Sequence, residues 1–222
     1  MLAVYTFVFS VIFKARWNPS STSKTEFALV LFAGLIVFNL FSECITKAPT
    51  LILSNTNYVK RVVFPLETLV WVSIGSALFH LMISLAVWLL VYSVFFGLPP
   101  PTVLLFPILL LPVILMVAGL SWFIASLGVY IRDMTQLIGI LMTIIMFLSP
   151  IFYPVTAIPI EYRPYLYLNP LTTAIEQSRE ILFFGHLINW STYLEYSIGA
   201  FAIAWFGFAW FQKTRKGFAD VL

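Results

Sequence analysis

The sequence predicts an all-α integral membrane protein of six transmembrane helices, the first of them truncated. Three observations carry this. Of 222 residues, 61% are apolar and only 9% are charged, whereas a soluble domain is nearer a quarter charged. The charges are also clustered: none falls between Thr68 and Ile131, and shorter charge-free runs cover Met1–Phe13, Phe27–Ser42, Met134–Ile160 and Tyr196–Gln212. Finally, Pro, Gly and charge clusters cut the apolar sequence into pieces of about the length a bilayer requires. Soluble, collagen-like and disordered classes are excluded.

The first span is residues 1–13, whose helical rise of about 20 Å is short of a hydrocarbon core of about 30 Å. It lacks a basic leader and a small-residue cleavage site, so it reads as part of a span whose beginning is missing rather than as a signal peptide. A polar stretch with Asn18-Pro19-Ser20-Ser21 follows, then a second span over 27–45. Residues 46–65 form a polar loop. Two long spans, 66–96 and 102–131, are divided by Gly97-Leu98-Pro99-Pro100-Pro101, a turn because consecutive prolines donate no backbone hydrogen bonds. Pro107 and Pro112 predict a kink in the second of these. Arg132-Asp133 separates them from a short fifth span, 134–149, and the last span is 196–211.

Region 151–195 differs in kind, being mixed in polarity and rich in Pro and Tyr. Within it Asn169 is placed to cap a helix, Pro170 to open it and Gly185 to close it in the left-handed conformation. The expected element is an amphipathic helix too polar to span, lying on or dipping into the membrane face. Orientation follows from the basic residues. Lys47, Lys60, Arg61, Arg132, Lys213, Arg215 and Lys216 concentrate on one side, against a sparser Lys14, Arg16, Lys24, Arg163 and Arg179 on the other. The denser set is cytoplasmic by the positive-inside rule, which puts both termini inside.

The sequence holds no phosphate-binding loop, nucleophile elbow or paired-histidine metal motif. The single cysteine, Cys44, allows no intrachain disulfide. Nucleic-acid binding is excluded, since no basic face is interleaved with exposed aromatics. His80 is expected at mid-membrane, hydrogen-bonded to a neighbouring helix or serving a polar substrate. Glu43 and Glu67 read as interfacial carboxylates within reach of Lys47 or Arg61. Phe152, Tyr153, Tyr162, Tyr165, Tyr167 and Trp190 form either an interfacial aromatic belt or a stacking surface for sugar rings. The 46–65 loop, in which Pro49 opens a short apolar turn of Leu51, Ile52 and Leu53 ahead of Lys60-Arg61, is either a connector or a docking site for a soluble partner.

Four stretches, in order along the chain, resemble the membrane subunits of polysaccharide-exporting ABC transporters, and are most similar to the O-antigen type. They are Tyr5-Thr6-Phe7-Val8-Phe9-Ser10, the run Asn55 to Glu67 (NTNYVKRVVFPLE), Ser149-Pro150-Ile151-Phe152-Tyr153-Pro154, and Tyr167-Leu168-Asn169-Pro170-Leu171. The resemblance implies a homodimer of six-span subunits in the bacterial inner membrane. Two ABC ATPase subunits would bind the ATP and Mg, leaving this chain without cofactor or enzymatic activity. It implies a coupling helix within residues 50–61, with Thr50, Leu51, Ile52, Leu53, Asn55, Asn57, Lys60 and Arg61 facing the ATPase. It also implies two short re-entrant helices between the fifth and sixth spans, and a lipid-linked polysaccharide as substrate. Capsule, teichoic-acid, drug and lipid exporters of the same fold are the alternatives. The chain departs from the family in lacking a basic amphipathic helix ahead of a full first span.

Overall fold

The computed structural model describes residues 24–60, 64–131 and 133–221, and the first expected span, 1–13, lies outside them. The described residues form helices and no strands. In chain order the α-helices are α1 (Lys24–Lys47), α2 (Thr56–Lys60), α3 (Thr68–Phe96), α4 (Phe106–Tyr130), α5 (Met134–Leu148), α6 (Arg163–Tyr167), α7 (Thr172–Arg179), α8 (Trp190–Thr214) and α9 (Phe218–Val221). Among the described residues four helical segments are long and apolar enough to cross a membrane: Thr25–Thr50, Thr68–Phe96, Pro101–Tyr130 and Trp190–Gly217.

Local chemistry sets the ends. Glu26 lies in the first turn of α1 and Lys47 in its last, each favourable to the helix dipole. Thr68 opens α3 by donating its hydroxyl and amide to Pro65 O at 2.7 and 3.0 Å. Gly97 ends α3 with φ +86°, a conformation costly for any residue with a Cβ. Pro101 starts the 3₁₀ turn Pro101–Leu105 that runs into α4, and Pro112 lies inside that helix.

Two expected boundaries move. The last helix begins at Trp190, not at Tyr196. Asn189 opens it, its side chain and carbonyl accepting from Thr192 and Tyr193, and the Tyr193 hydroxyl donates to Ile108 O at 3.0 Å. Trp190 therefore belongs to the helix rather than to the loop before it. The helix expected from Asn169 starts only at Thr172, while Asn169 Oδ1 accepts from Leu171 N at 3.0 Å and so caps the preceding turn. Its far end is as anticipated: α7 continues as a wider turn over Glu180–Phe184 and stops at Gly185, φ +74°.

The described residues divide into two compact units. The first comprises residues 24–39 with Leu81–Leu109 and Ile145–Tyr193. Its core collects Leu31 and Ile36 of α1, Trp88 of α3, Phe106 of α4, and Leu171, Ile175 and Ile181 from the α7 region, all nearly fully buried. Trp88 satisfies its indole N–H on Leu29 O at 2.9 Å, as a buried donor must.

The second unit comprises Leu40–His80, Leu110–Ile144 and Leu194–Leu222. Its core includes Ile45, Ile52, Ile74, Met116, Phe211 and Phe218. Here α4 and α8 meet through glycines. A Cβ built on Gly119 would lie 2.4 Å from Ile203 O, and one on Gly207 would lie 2.0 Å from Gly119 O. Small residues of this kind let helix backbones touch where no hydrophobic force between helices is available in lipid.

Candidate functional site

The segment between α1 and α3 is built from tight turns. Pro49 fixes the first turn of the 3₁₀ helix Ala48–Thr50, and a second, Leu53–Asn55, leads into α2. Tight turns strand carbonyls, and the polar side chains of this stretch collect them. Thr50 Oγ1 donates to Lys47 O at 3.1 Å, Ser54 Oγ to Thr50 O at 2.6 Å and Asn55 Nδ2 to Leu51 O at 2.9 Å.

Among the residues expected to face a partner, the structure separates two groups. Thr50, Leu53 and Asn57 are exposed, Leu53 to 39%, and Tyr58 beside them is 43% exposed and stacks on Phe64 at 4.8 Å. Leu51 and Asn55 are half-buried. Ile52 is 0% exposed and belongs to the core of its own unit, which corrects its place in a docking surface. Ile52 sits between the two 3₁₀ helices and faces the interior, while Leu53 after it faces out. The side chains of Lys60 and Arg61 lie outside the described residues. Tyr58 is the residue that sequence reasoning passed over, although an exposed aromatic beside two basic residues was there to be read.

The carboxylates at this end are paired. Glu43 accepts from Lys47 Nζ at 2.7 Å, and His80 Nδ1 lies 3.0 Å from both Glu43 oxygens. Glu43 stands one turn before the end of α1 and His80 three turns into α3, so this contact joins the last turn of one helix to the middle of the other. Glu67 takes a partner the sequence did not suggest: Arg215 Nη1, at 3.0 Å, from beyond the end of α8.

In the first unit, the aromatics anticipated as a belt or sugar surface also divide. Tyr162, Tyr165 and Tyr167 are at least half exposed on or beside α6, and Trp190 is 54% exposed. Phe152 is 3% exposed and can stack on nothing outside the fold. Tyr153 is half-buried, its hydroxyl on Phe147 O and Leu148 O at 3.3 Å. Arg163 holds the loop ahead of α6 by donating to Ile158 O and Thr156 O, both at 2.9 Å. The Tyr167 hydroxyl donates to Glu176 Oε2 at 3.1 Å. Burial raises the Glu176 pKa above the ordinary carboxylate value, while the Tyr167 hydrogen bond and the Arg179 charge pull it back.

Arg179 corrects the amphipathic, surface-lying reading of this helix. It is 3% exposed, donating from Nε to Val30 O at 3.2 Å and from Nη2 to Ile151 O at 2.8 Å. Gly34 makes room for it, since a Cβ there would lie 2.9 Å from Nη2. Burial pushes the guanidinium pKa down to about 9, which leaves it charged at neutral pH. Its two carbonyl bonds tie α7 to α1 and to the loop after α5. Arg179→Met is expected to strand both acceptors, at about 1–3 kcal/mol for each one left dry. Arg179→Lys should not rescue, because an ammonium lacks the fork that reaches two separated carbonyls. Thermal unfolding in detergent checks both.

These features define a multi-span membrane protein with a compact polar turn at one helix end and a tyrosine-bearing helical loop between two others. Among the described residues no group of three or more His, Cys, Asp or Glu is placed to hold a metal. The family model of the ABC-2 type transporter matches residues 1–183. The chain belongs to that family. It is 22% identical to the O-antigen export system permease protein RfbA of Klebsiella pneumoniae over 221 residues, covering 99% of this chain and 82% of that protein. The same identity and coverage hold for the protein of that name from Myxococcus xanthus. The polysialic acid transport protein KpsM of Escherichia coli is 28% identical over 167 residues, 73% of this chain and 63% of that one.

Proposed function

We propose that this chain is the transmembrane subunit of an ATP-driven exporter that moves lipid-linked polysaccharide, of the O-antigen kind, across the bacterial inner membrane. The observation that carries the reading is the near end-to-end similarity to two O-antigen export permeases, joined to membership of a transporter family. In this reading the subunit is a homodimer of six-span chains with cytoplasmic termini. It docks two ATPase subunits through the segment after α1, and those subunits bind ATP and Mg. The short helices between α5 and α8 act as re-entrant helices whose exposed tyrosines offer flat faces to sugar rings. Similarity to a polysialic acid transporter favours capsule as the second substrate class.

Deleting the gene should remove surface polysaccharide while lipid-linked polymer accumulates inside, and a plasmid copy should restore export. Unchanged surface polysaccharide with altered tolerance of small toxic compounds would instead indicate drug export. Topology has its own test. Asn57→Cys and Ser191→Cys, each exposed and each in a Cys44→Ser background, are expected to react with an impermeant thiol reagent from opposite sides. Labelling of the first from outside intact cells reverses the orientation.

A further inference from the structure

The segment between α1 and α3 enters and leaves through two fixed points. At its entrance the Pro49 carbonyl lies against Gly128, where an added Cβ would sit 2.1 Å from that oxygen. At its exit the Glu67 carboxylate accepts from Arg215 Nη1 at 3.0 Å and Gln212 Nε2 at 3.3 Å, and Glu67 O accepts from Trp122 Nε1 at 3.1 Å. Beyond Arg215 the chain turns through the 3₁₀ helix Arg215–Gly217. Gly217 passes close to Tyr130, a Cβ there lying 2.8 Å from the Tyr130 hydroxyl, which donates to Thr214 O at 3.1 Å. Phe218 then inserts, 0% exposed, with its ring 5.6 Å from Phe211 and 6.1 Å from Tyr130. This anchoring seats α9 directly against α2.

A five-residue helix such as α2 cannot hold itself, because nucleation costs more than so few hydrogen bonds return. Its shape must come from what it leans on, and α9 is one such support. We propose that Arg215 and Phe218 are positioning residues for ATPase coupling. They fix the C-terminal segment as a brace behind α2, so that force applied to the coupling segment passes through Glu67 and Arg215 to α8 instead of being lost in bending. The inference rests on reading this segment as the ATPase-docking surface.

Two measurements test it. In the purified subunit alone, Phe218→Ala is expected to speed amide hydrogen exchange in Thr56–Lys60 by about tenfold or more, with the middle of α4 unchanged. Phe218→Leu, which keeps most of the volume, should lie between this variant and wild type. In the assembled transporter, Glu67→Arg and Arg215→Glu should each lower polysaccharide exported per ATP hydrolysed by about fivefold or more, the scale of mutations along a coupled network. The double reversal should restore that ratio, which a general loss of folding would not allow. Unchanged exchange in Phe218→Ala overturns the brace, and a double reversal no better than the single variants overturns the transmission. Should the wild-type subunit retain no ATPase on purification, the exporter reading fails, and the exchange measurement still decides whether the brace exists.

Discussion

Replacing Leu53 and Tyr58 together by aspartate is expected to abolish export while leaving the subunit inserted and folded. Both side chains are exposed on the segment after α1, Leu53 to 39% and Tyr58 to 43%. Anchors of this type contribute about 2 kcal/mol or more apiece when a partner covers them, and every 1.4 kcal/mol is about tenfold in affinity. Losing both should therefore weaken ATPase binding by a factor on the order of a thousand, before the cost of desolvating two carboxylates. Lys60→Ala with Arg61→Ala should do much less, since exposed ion pairs are worth about 1 kcal/mol or less. Ile52→Ala acts differently, because Ile52 is fully buried. It should destabilise the segment from within, by about 2–5 kcal/mol. Co-purification with the ATPase and assay of surface polysaccharide separate the cases. Full export by the double aspartate variant would show that the segment is only a connector.

The second large effect is expected at the contact of α4 and α8. Gly119→Val or Gly207→Val places a Cβ 2.4 or 2.0 Å from a backbone carbonyl oxygen, so the clash cannot be relieved by turning a side chain. The two helices must move apart, and the loss should exceed about 3 kcal/mol, in the range reserved for severe core disruption. Little subunit should survive extraction as a monodisperse species. Gly139→Ala and Gly199→Ala are the controls, because an added Cβ meets nothing within 4 Å at either site. Both lie inside helices, where alanine is favoured over glycine by about 1 kcal/mol, so unfolding temperatures should hold or rise slightly.

Much of the helical plan was legible in the sequence because the bilayer imposes it locally. Charge-free runs and Pro-Gly clusters placed four long helices, and the left-handed Gly185 was legible as a helix stop. What escaped was whatever depends on a neighbour far along the chain. Trp190 to Glu195 read as loop because they are mixed in polarity, yet Tyr193 finds its acceptor on Ile108 and the helix starts early. Arg179 was given a surface face because arginine is polar. The carbonyls of Val30 and Ile151 that receive it leave no trace in hydropathy. In the same way a three-residue apolar turn does not reveal that Ile52 faces inward. Of the candidate segment, the turn that Pro49 opens was legible, but which of its three apolar residues faces out was not. The ion pair of Glu67 with Arg215 was not, since it joins residues 148 positions apart.

Helix α5 has fifteen residues, a rise of about 22 Å, and hydrocarbon is about 30 Å thick. As a span it is therefore in hydrophobic mismatch with an ordinary bilayer. Leu137, Ile140, Ile144 and Phe147 are exposed along it, and lipid meeting that face must compress or tilt to match it. As a span, α5 would thin the lipid along that face. On the exporter reading, an acyl-anchored polymer would meet its thinnest stretch of hydrocarbon there.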